Sequence, residues 1–297
     1  MIEPGEGCLA FFLTYCYTIK EVSSMSEQNL SQRRGAMGGI PVAYLAIWAA
    51  IIAVSAILPA IPLIGGGTFG GQEFILALPG LLFGPLGGLV AASVGSLIAS
   101  LIAPATAYFG LLTFYVAAIA AAVAGLLVQN TRRSRLWVLG IYVVGAIAWP
   151  LMPGISSIGA YVYAKGAYWP MHATALLGLW ASPWAVKKIR TFETTPVALG
   201  VAVISWTSYM INHLWLSIGY SYLYPEGPDQ WVFAFMSGIV PGQRIVLTLV
   251  SVIIGSALII GLHRAGVRFG EDSGSALAEE EEEFDDLVNK VGINEPI

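Results

Sequence analysis

Long apolar runs separated by short basic clusters constrain this fold more than any other feature of the sequence. Runs near 41–62, 85–103, 107–128 and 196–218 are each about 20 residues long, and the run near 233–262 is longer, so each is long enough for a helix that crosses a bilayer. Charged residues make up only 11% of the 297-residue chain, whereas about 25% is usual for soluble domains. We therefore predict an all-α, polytopic transmembrane helical bundle of about six to eight membrane helices, one of them a short segment.

The basic clusters predict the orientation of these helices. Arg33 and Arg34, the loop 131–135, residues 187–190 and residues 263–268 should all be cytoplasmic, because basic loops stay on that side of the membrane. Each interval between them then needs an even number of crossings. The 12-residue segment Gln72–Phe83 must therefore cross or nearly cross, although a helix of that length covers only about 18 Å.

This count gives eight segments with both termini cytoplasmic, in a multi-pass protein of the cell membrane. A seven-span arrangement, which places Arg33 and Arg34 outside, is the alternative. We expect three parts along the chain: an extension over 1–39 that is disordered or precedes the true start, a transmembrane domain over 40–268, and an acidic cytoplasmic tail over 269–297. The tail contains the like-charged run AEEEEEFDDL.

No motif in the sequence points to a bound cofactor or to a named reaction. Phosphate-binding P-loops, HExxH zinc sites and Rossmann glycine patterns are absent, and the two cysteines, Cys8 and Cys16, form no metal-binding spacing. The 14 basic residues sit at the ends of the apolar runs, which gives no support to nucleic-acid binding. We predict no enzymatic activity, no cofactor and no metal site.

The stretch Pro59–Pro104 differs from the other runs. It opens with two prolines and Gly65–Gly67, carries a single acid, Glu73, and is interrupted by Gly84-Pro85. Proline is tolerated in the first turn of a helix, so Gly84-Pro85 predicts a tight turn between two apolar segments. Irregular backbone at membrane depth survives where it lines a cavity, so we interpret residues 63–73 as the lid of an outward-facing pocket.

Polar side chains inside the apolar runs define the predicted binding site. Ionisable residues at membrane depth are costly and mark functional sites by default. The predicted substrate-binding residues, with Tyr108 and Trp215 as aromatic walls, are Thr68, Gln72, Glu73, Tyr108, Asn212, His213, Trp215, Gln243 and Arg244.

The ionisable residues of the apolar runs also have structural interpretations. Glu73 could cap its own helix, or pair with Arg244. Arg244 could reach the outer interface, and His213 could bond within the bundle. We read His172 as an interfacial residue beside Trp169. Pro241-Gly242 predicts a break or kink in the last helix.

The segment LPGLLFGPLGGLVAASVGSLIASLI (78–102) resembles the second and third helices of the substrate-binding S components of energy-coupling factor (ECF) transporters. The last helix, IVPGQRIVLTLVSVIIGSALIIGL (239–262), resembles the last helix of that family. Two rows of alanines, Ala46 and Ala50, and Ala49 and Ala53, are similar to the AxxxA pattern with which such subunits dock a shared partner.

The resemblance implies a membrane-embedded subunit that captures a small vitamin-like or metal-related solute from the outer side. It also implies a transmembrane coupling subunit and ATPase subunits as partners. Two other functions fit the same sequence. One is a structural or assembly subunit of a membrane complex. The other is an intramembrane enzyme that uses Glu73 and His213.

Overall fold

The computed structural model describes residues 36–37, 40–62, 68–151, 166–223 and 230–266, and it confirms an all-α helical bundle. The predicted extension and the acidic tail lie outside these residues, apart from 36–37. Seven α-helices are described: α1 (Val42–Ser55), α2 (Leu78–Ile102), α3 (Thr113–Gln129), α4 (Arg132–Ala148), α5 (Gly166–Ile189), α6 (Thr194–Leu223) and α7 (Gln230–Arg264).

Two short antiparallel strand pairs accompany the helices. β1 (Ala36–Met37) pairs with β2 (Ile40–Pro41), and β3 (Pro59–Pro62) pairs with β4 (Thr68–Gly70). The second pair makes a hairpin of the stretch that we predicted to be an irregular lid. Residues 63–67, which connect the two strands in the sequence and include Gly65–Gly67, lie outside the described residues.

Four helices are long and apolar enough to cross a membrane by length and composition: Leu78–Ile102, Gly110–Gln129, Thr194–Tyr220 and Ile239–Arg264. Large apolar side chains cover the outside of the bundle, including Trp180, which is 84% exposed, and the exposed Leu101 and Ile253. A soluble monomer rarely exposes so much apolar surface. The outer face of this bundle therefore has the composition of a surface that contacts lipid.

The predicted turn at Gly84-Pro85 is confirmed, and it folds α2 back on itself. Gly84 adopts φ 70° and ψ −173°, a conformation that side chains strongly disfavour. A methyl group placed on Gly88 would overlap the Cα of Gly80, although residues eight apart on a straight helix are separated by about 12 Å. The helix is therefore a hairpin with a short arm over 78–83 and a long arm over 85–102. Counting the arms separately gives the eight predicted segments, with the second one short.

The prediction that the short segment is helical from Gln72 is wrong. Gly71–Phe74 forms a 3₁₀ turn, and regular helix begins only at Leu78. In an α-helix through this segment, the Phe74 carbonyl would accept a hydrogen bond from the Leu78 N–H. That N–H instead donates to the Ile75 carbonyl at 3.0 Å, and the Phe74 carbonyl accepts from the side chains of Tyr209 and Ser251. Distant side chains thus compete successfully for a helical hydrogen bond.

Glycines let the helices approach closely around this hairpin. A methyl on Gly80 would overlap the Ala121 carbonyl of α3, and one on Gly125 would overlap the backbone at Gly84-Pro85. On the outer side of the hairpin, Gly95 packs against the backbone of α1 at Ala49. Small residues allow such backbone contacts between helices. They hold the short arm between α3 and the long arm.

The centre of the bundle is α6, whose inward side chains pack against α3, α5 and α7. Two of its polar side chains bond the backbone of α3: Ser208 donates to the Ala120 carbonyl at 2.5 Å, and Asn212 donates to the Val116 carbonyl at 2.7 Å. The hydroxyl oxygens of Tyr209 on α6 and Ser251 on α7 are 2.6 Å apart, and this contact joins the two helices. These contacts fix the rotation of α6 and turn a polar stripe toward α3 and α7.

Candidate functional site

The polar stripe on α6 consists of five buried side chains spaced three and four residues apart: Ser205, Ser208, Tyr209, Asn212 and His213. That spacing puts them on one face of a helix. A second buried polar row lies on α7 and contains Arg244, Thr248 and Ser251. The contact between Tyr209 and Ser251 joins the two rows. Bundle interiors are usually apolar, so this seam is the main polar region inside the described part of the fold.

Glu73 lies in the 3₁₀ turn that closes one end of this seam. Its side chain is almost fully buried, and its Oε1 accepts a hydrogen bond from the Tyr108 hydroxyl at 3.4 Å. Glu73 is the acid in the first turn of Gly71–Phe74, and the hydrogen bond described for its side chain is to Tyr108 and not to a backbone N–H of the turn. Tyr108 reaches it from the segment between α2 and α3. The structure therefore brings together two predicted site residues that are 35 positions apart.

Arg244 is completely buried on α7, so it does not reach the outer interface. Its charge interacts electrostatically with Glu73, Tyr108, His172 and His213. The helix runs through Pro241 without a break. An acidic and a basic side chain therefore share one buried region.

His213 on α6 contacts His172 on α5. The distance between Nε2 of His172 and Nδ1 of His213 is 3.0 Å, both rings are buried, and the edge of the Trp149 ring lies against His172 at 5.3 Å between centroids. His172 is therefore not the interfacial residue that we predicted. Its neighbours in the sequence are apolar and aromatic, and the polar partner that accounts for its burial is 41 positions away.

Two buried amide oxygens of predicted site residues have no hydrogen-bond partner among the described residues. They are Oε1 of Gln72 and Oδ1 of Asn212. Asn212 also bonds the α3 backbone through its amide nitrogen. A buried carbonyl oxygen without a donor is costly, so both atoms are available to a ligand that donates hydrogen bonds.

The remaining predicted binding residues are placed elsewhere or lie outside the described side chains. Trp215 donates from Nε1 to the Ile141 carbonyl of α4 at 3.2 Å, which gives it a packing role between α4 and α6. Gln243 is half-buried on α7, next to Arg244 in the chain but without a contact to Glu73 among those described. The backbone of Thr68 pairs with Pro62 in the hairpin, while its side chain lies outside the described side chains.

The two alanine rows of α1 point in different directions. Ala49 and Ala53 are buried, and the backbone at Ala49 lies against Gly95 of α2. Ala46 and Ala50 are exposed on the outer face. Only the Ala46 and Ala50 row is therefore open to another helix.

A cavity of about 230 Å³ lies at the opposite end of the hairpin, around Gly84-Pro85, and none of the predicted binding residues lines it. Among the described residues, no three His, Cys, Asp or Glu side chains form a group that could hold a metal ion. The chemistry of the buried seam rests instead on one acid, one arginine, two histidines and the tyrosine hydroxyls. Such a set can bind a small polar molecule by charge and by hydrogen bonds.

Comparisons of the chain with protein-family models, with curated proteins and with solved structures give no match.

Proposed function

We propose that this protein is a membrane-embedded subunit that captures a small vitamin-like or metal-related solute from the outer side of the cell membrane, as the S components of ECF transporters do. The observation that carries the proposal is the burial of Glu73 and Arg244 together in a polar seam inside the bundle. Burying ionisable side chains among apolar helices is expensive and needs a compensating role.

The shape of the backbone at Glu73 supports a binding role over a purely structural one. A simple stabilising ion pair could be made from side chains on regular helices. Here the acid sits on a 3₁₀ turn that interrupts an otherwise apolar segment, and Tyr108 and Tyr209 hold that turn from two sides. Irregular backbone inside a bundle is typical of transporter binding sites, where it presents polar groups to a solute.

The chemistry of the seam suggests what the solute carries. Arg244 favours an anionic group such as a carboxylate, because a guanidinium binds such groups with charge-assisted hydrogen bonds. Glu73 and the amide oxygens of Gln72 and Asn212 favour hydrogen-bond donors. A small molecule with both kinds of group fits this set.

Energy for transport would come from other subunits. The sequence has no ATP-binding motif, so the proposal requires a transmembrane coupling subunit and ATPase subunits as partners. The exposed row of Ala46 and Ala50 on α1 is the surface on which a partner helix could approach closely.

The experiment is to purify the full chain in mild detergent and to identify co-purifying small molecules by mass spectrometry. We expect one compound at about one molecule per chain. Glu73→Gln and Arg244→Gln should each reduce its occupancy by about tenfold or more, because each removes a charge-assisted contact worth roughly 1.5–3 kcal/mol. Glu193→Gln, an exposed acid outside the seam, is the matched control and should retain the compound.

Two results would overturn the proposal. One is a chain that carries no compound and supports no uptake when it is co-expressed with coupling and ATPase subunits. The other is a folded Glu73→Gln variant that binds the compound as the unmodified chain does. A stable complex that lacks ATPases and is unaffected by both variants would indicate an assembly subunit instead.

A further inference from the structure

The cavity at the Gly84 end of the bundle is separate from the polar seam and has different chemistry. Its volume is about 230 Å³, and its walls are mainly apolar side chains from the two arms of α2, from α3, α5 and α7, and from β2. The apolar wall includes Ile40, Leu81, Phe83, Val128, Ile189 and Ile259. Leu86, which is largely exposed, also lines it, so the cavity opens on the surface of the bundle.

The mouth of this cavity is polar and basic. Arg190 and Gln129 line it, and Arg190 is exposed. Glu193 is the acid described at this side of the bundle. Seven basic residues lie in the turns and helix ends there: Arg132, Arg133, Arg135, Lys187, Lys188, Arg190 and Arg264. The mouth therefore lies in a region of positive potential.

The turn that carries Arg190 is held in a fixed conformation. Phe192, two residues later, has φ 55°, a left-handed conformation that is unfavourable for a bulky residue. Its ring stacks on His263 at the end of α7, with 3.5 Å between ring centroids. This stack joins α5 to α7 beside the cavity and keeps Arg190 at the mouth.

The residues beside the mouth are of the kinds found at the headgroup layer of a membrane. Trp184 is exposed on the last turns of α5, and the Lys188 ammonium lies 5.9 Å from its ring centroid. Tryptophan and lysine at the end of an apolar helix are typical of the level where headgroups begin. Arg190 is two residues beyond Lys188, so the apolar walls lie on the hydrocarbon side of that level.

We propose that this cavity binds one anionic phospholipid, with acyl methylenes against the apolar walls and the phosphate at Arg190 and Gln129. Basic pockets between membrane helices bind anionic headgroups, and each basic residue near the surface adds about fivefold to the affinity. A soluble anion would leave the apolar walls unused. A zwitterionic lipid would gain little from the basic mouth.

Native mass spectrometry of the full chain tests this proposal. The delipidated protein is offered equal amounts of phosphatidylglycerol and phosphatidylcholine in detergent. We expect one phosphatidylglycerol to bind per chain in preference to phosphatidylcholine. Glycerol phosphate, which has the headgroup charge but no acyl chain, should not compete.

Two pairs of variants separate this cavity from general membrane contact. Arg190→Gln should weaken phosphatidylglycerol binding by about fivefold, which is more than the effect of Arg133→Gln, an exposed arginine on the same side of the bundle that does not line the cavity. Val128→Trp fills part of the cavity beside the apolar wall. It should weaken binding by about tenfold, because at least two methylenes of the acyl chain are displaced from the cavity. Val144→Trp on the exposed face of α4 is the control.

The proposal is overturned if both lipids bind equally, if glycerol phosphate competes, or if Arg133→Gln weakens binding as much as Arg190→Gln. Leu86→Trp provides a second filling variant at the exposed mouth in case Val128→Trp does not fold. If both tryptophan variants fold and bind phosphatidylglycerol with unchanged affinity, the lipid lies elsewhere on the protein.

Discussion

The two ends of the folded-back segment, 71–88, are held by different forces. At the Gly84 end, backbone packs directly against backbone. Gly80, Gly88 and Gly125 have no side chains that would separate the two arms from each other or from α3. At the Phe74 end, side chains from α6 and α7 bond a single carbonyl oxygen. One end is close-packed and apolar, and the other is polar and irregular.

This difference explains how an irregular turn survives inside the bundle. Polar contacts alone hold side chains weakly in a membrane bundle, where hydrogen bonds average about 0.6 kcal/mol. The close-packed hairpin fixes where the short arm begins, and the hydrogen bonds then need only to orient the few residues around Glu73. We infer that the glycine end supplies rigidity and that the polar end is the part adapted for binding.

The largest effect should follow from a side chain added at the close-packed end. Gly80→Val places branched carbons where the Ala121 carbonyl oxygen lies, and both backbones would have to move apart. We expect a loss of about 4 kcal/mol or more in the free energy of unfolding, which is beyond ordinary overpacking. Equilibrium unfolding in mixed detergent micelles, followed by circular dichroism, measures this loss.

Gly140→Ala is the matched control for that variant. Gly140 lies on α4 with open space around the position of a Cβ atom. Alanine there should stabilise the helix by up to about 1 kcal/mol. If Gly80→Val unfolds no more easily than Gly140→Ala, the short arm does not pack against α3 at Ala121 as closely as described.

The close-packed end could be predicted from the sequence because its signals are local. Gly84-Pro85 predicts a turn from two adjacent residues, and apolar runs predict helices from their own lengths. The polar spacing on α6 from Ser205 to His213 is also local, and it could have shown that this helix faces a polar interior. Asn212 and His213 were predicted as site residues on this helix, whereas Tyr209 was missed.

The polar end could not be predicted in the same way, because its contacts join distant parts of the chain. Tyr209 and Ser251 are 135 and 177 positions from Phe74, and nothing near Phe74 shows that its carbonyl is bonded by side chains. The helical start at Gln72 was predicted wrongly for that reason. The pairing of His172 with His213 was missed for the same reason, since the two histidines are 41 positions apart.

A second variant tests whether Gly84 is needed for its conformation or for its contacts. A methyl group on Gly84 would meet no atom within 4 Å, so Gly84→Ala adds no clash. Its φ of 70° with ψ of −173° is nevertheless nearly restricted to glycine, and we expect a loss of about 2 kcal/mol in unfolding free energy. The same unfolding assay measures it. A gain in stability, like that expected for Gly140→Ala, would show that the chain does not reverse at Gly84.

The smallest effect is expected at the polar end. Tyr209→Phe removes the hydroxyl that contacts both the Phe74 carbonyl and Ser251 but keeps the ring in the core. Because Ser251 still donates to that carbonyl, the loss should be only about 1 kcal/mol in unfolding free energy. Tyr222→Phe removes a hydroxyl from an exposed tyrosine of the same helix and should change stability little.

The double variant Tyr209→Phe with Ser251→Ala gives the sharper test of this end. Either single variant leaves the Phe74 carbonyl one side-chain donor, whereas the double variant removes both. A buried carbonyl without a donor costs about 1–3 kcal/mol, so the double loss should exceed the sum of the two single losses. If the losses simply add, the Phe74 carbonyl is satisfied in another way. A helical bond from Leu78 is the obvious alternative, and the Glu73 turn would then revert to the regular helix that its local sequence predicts.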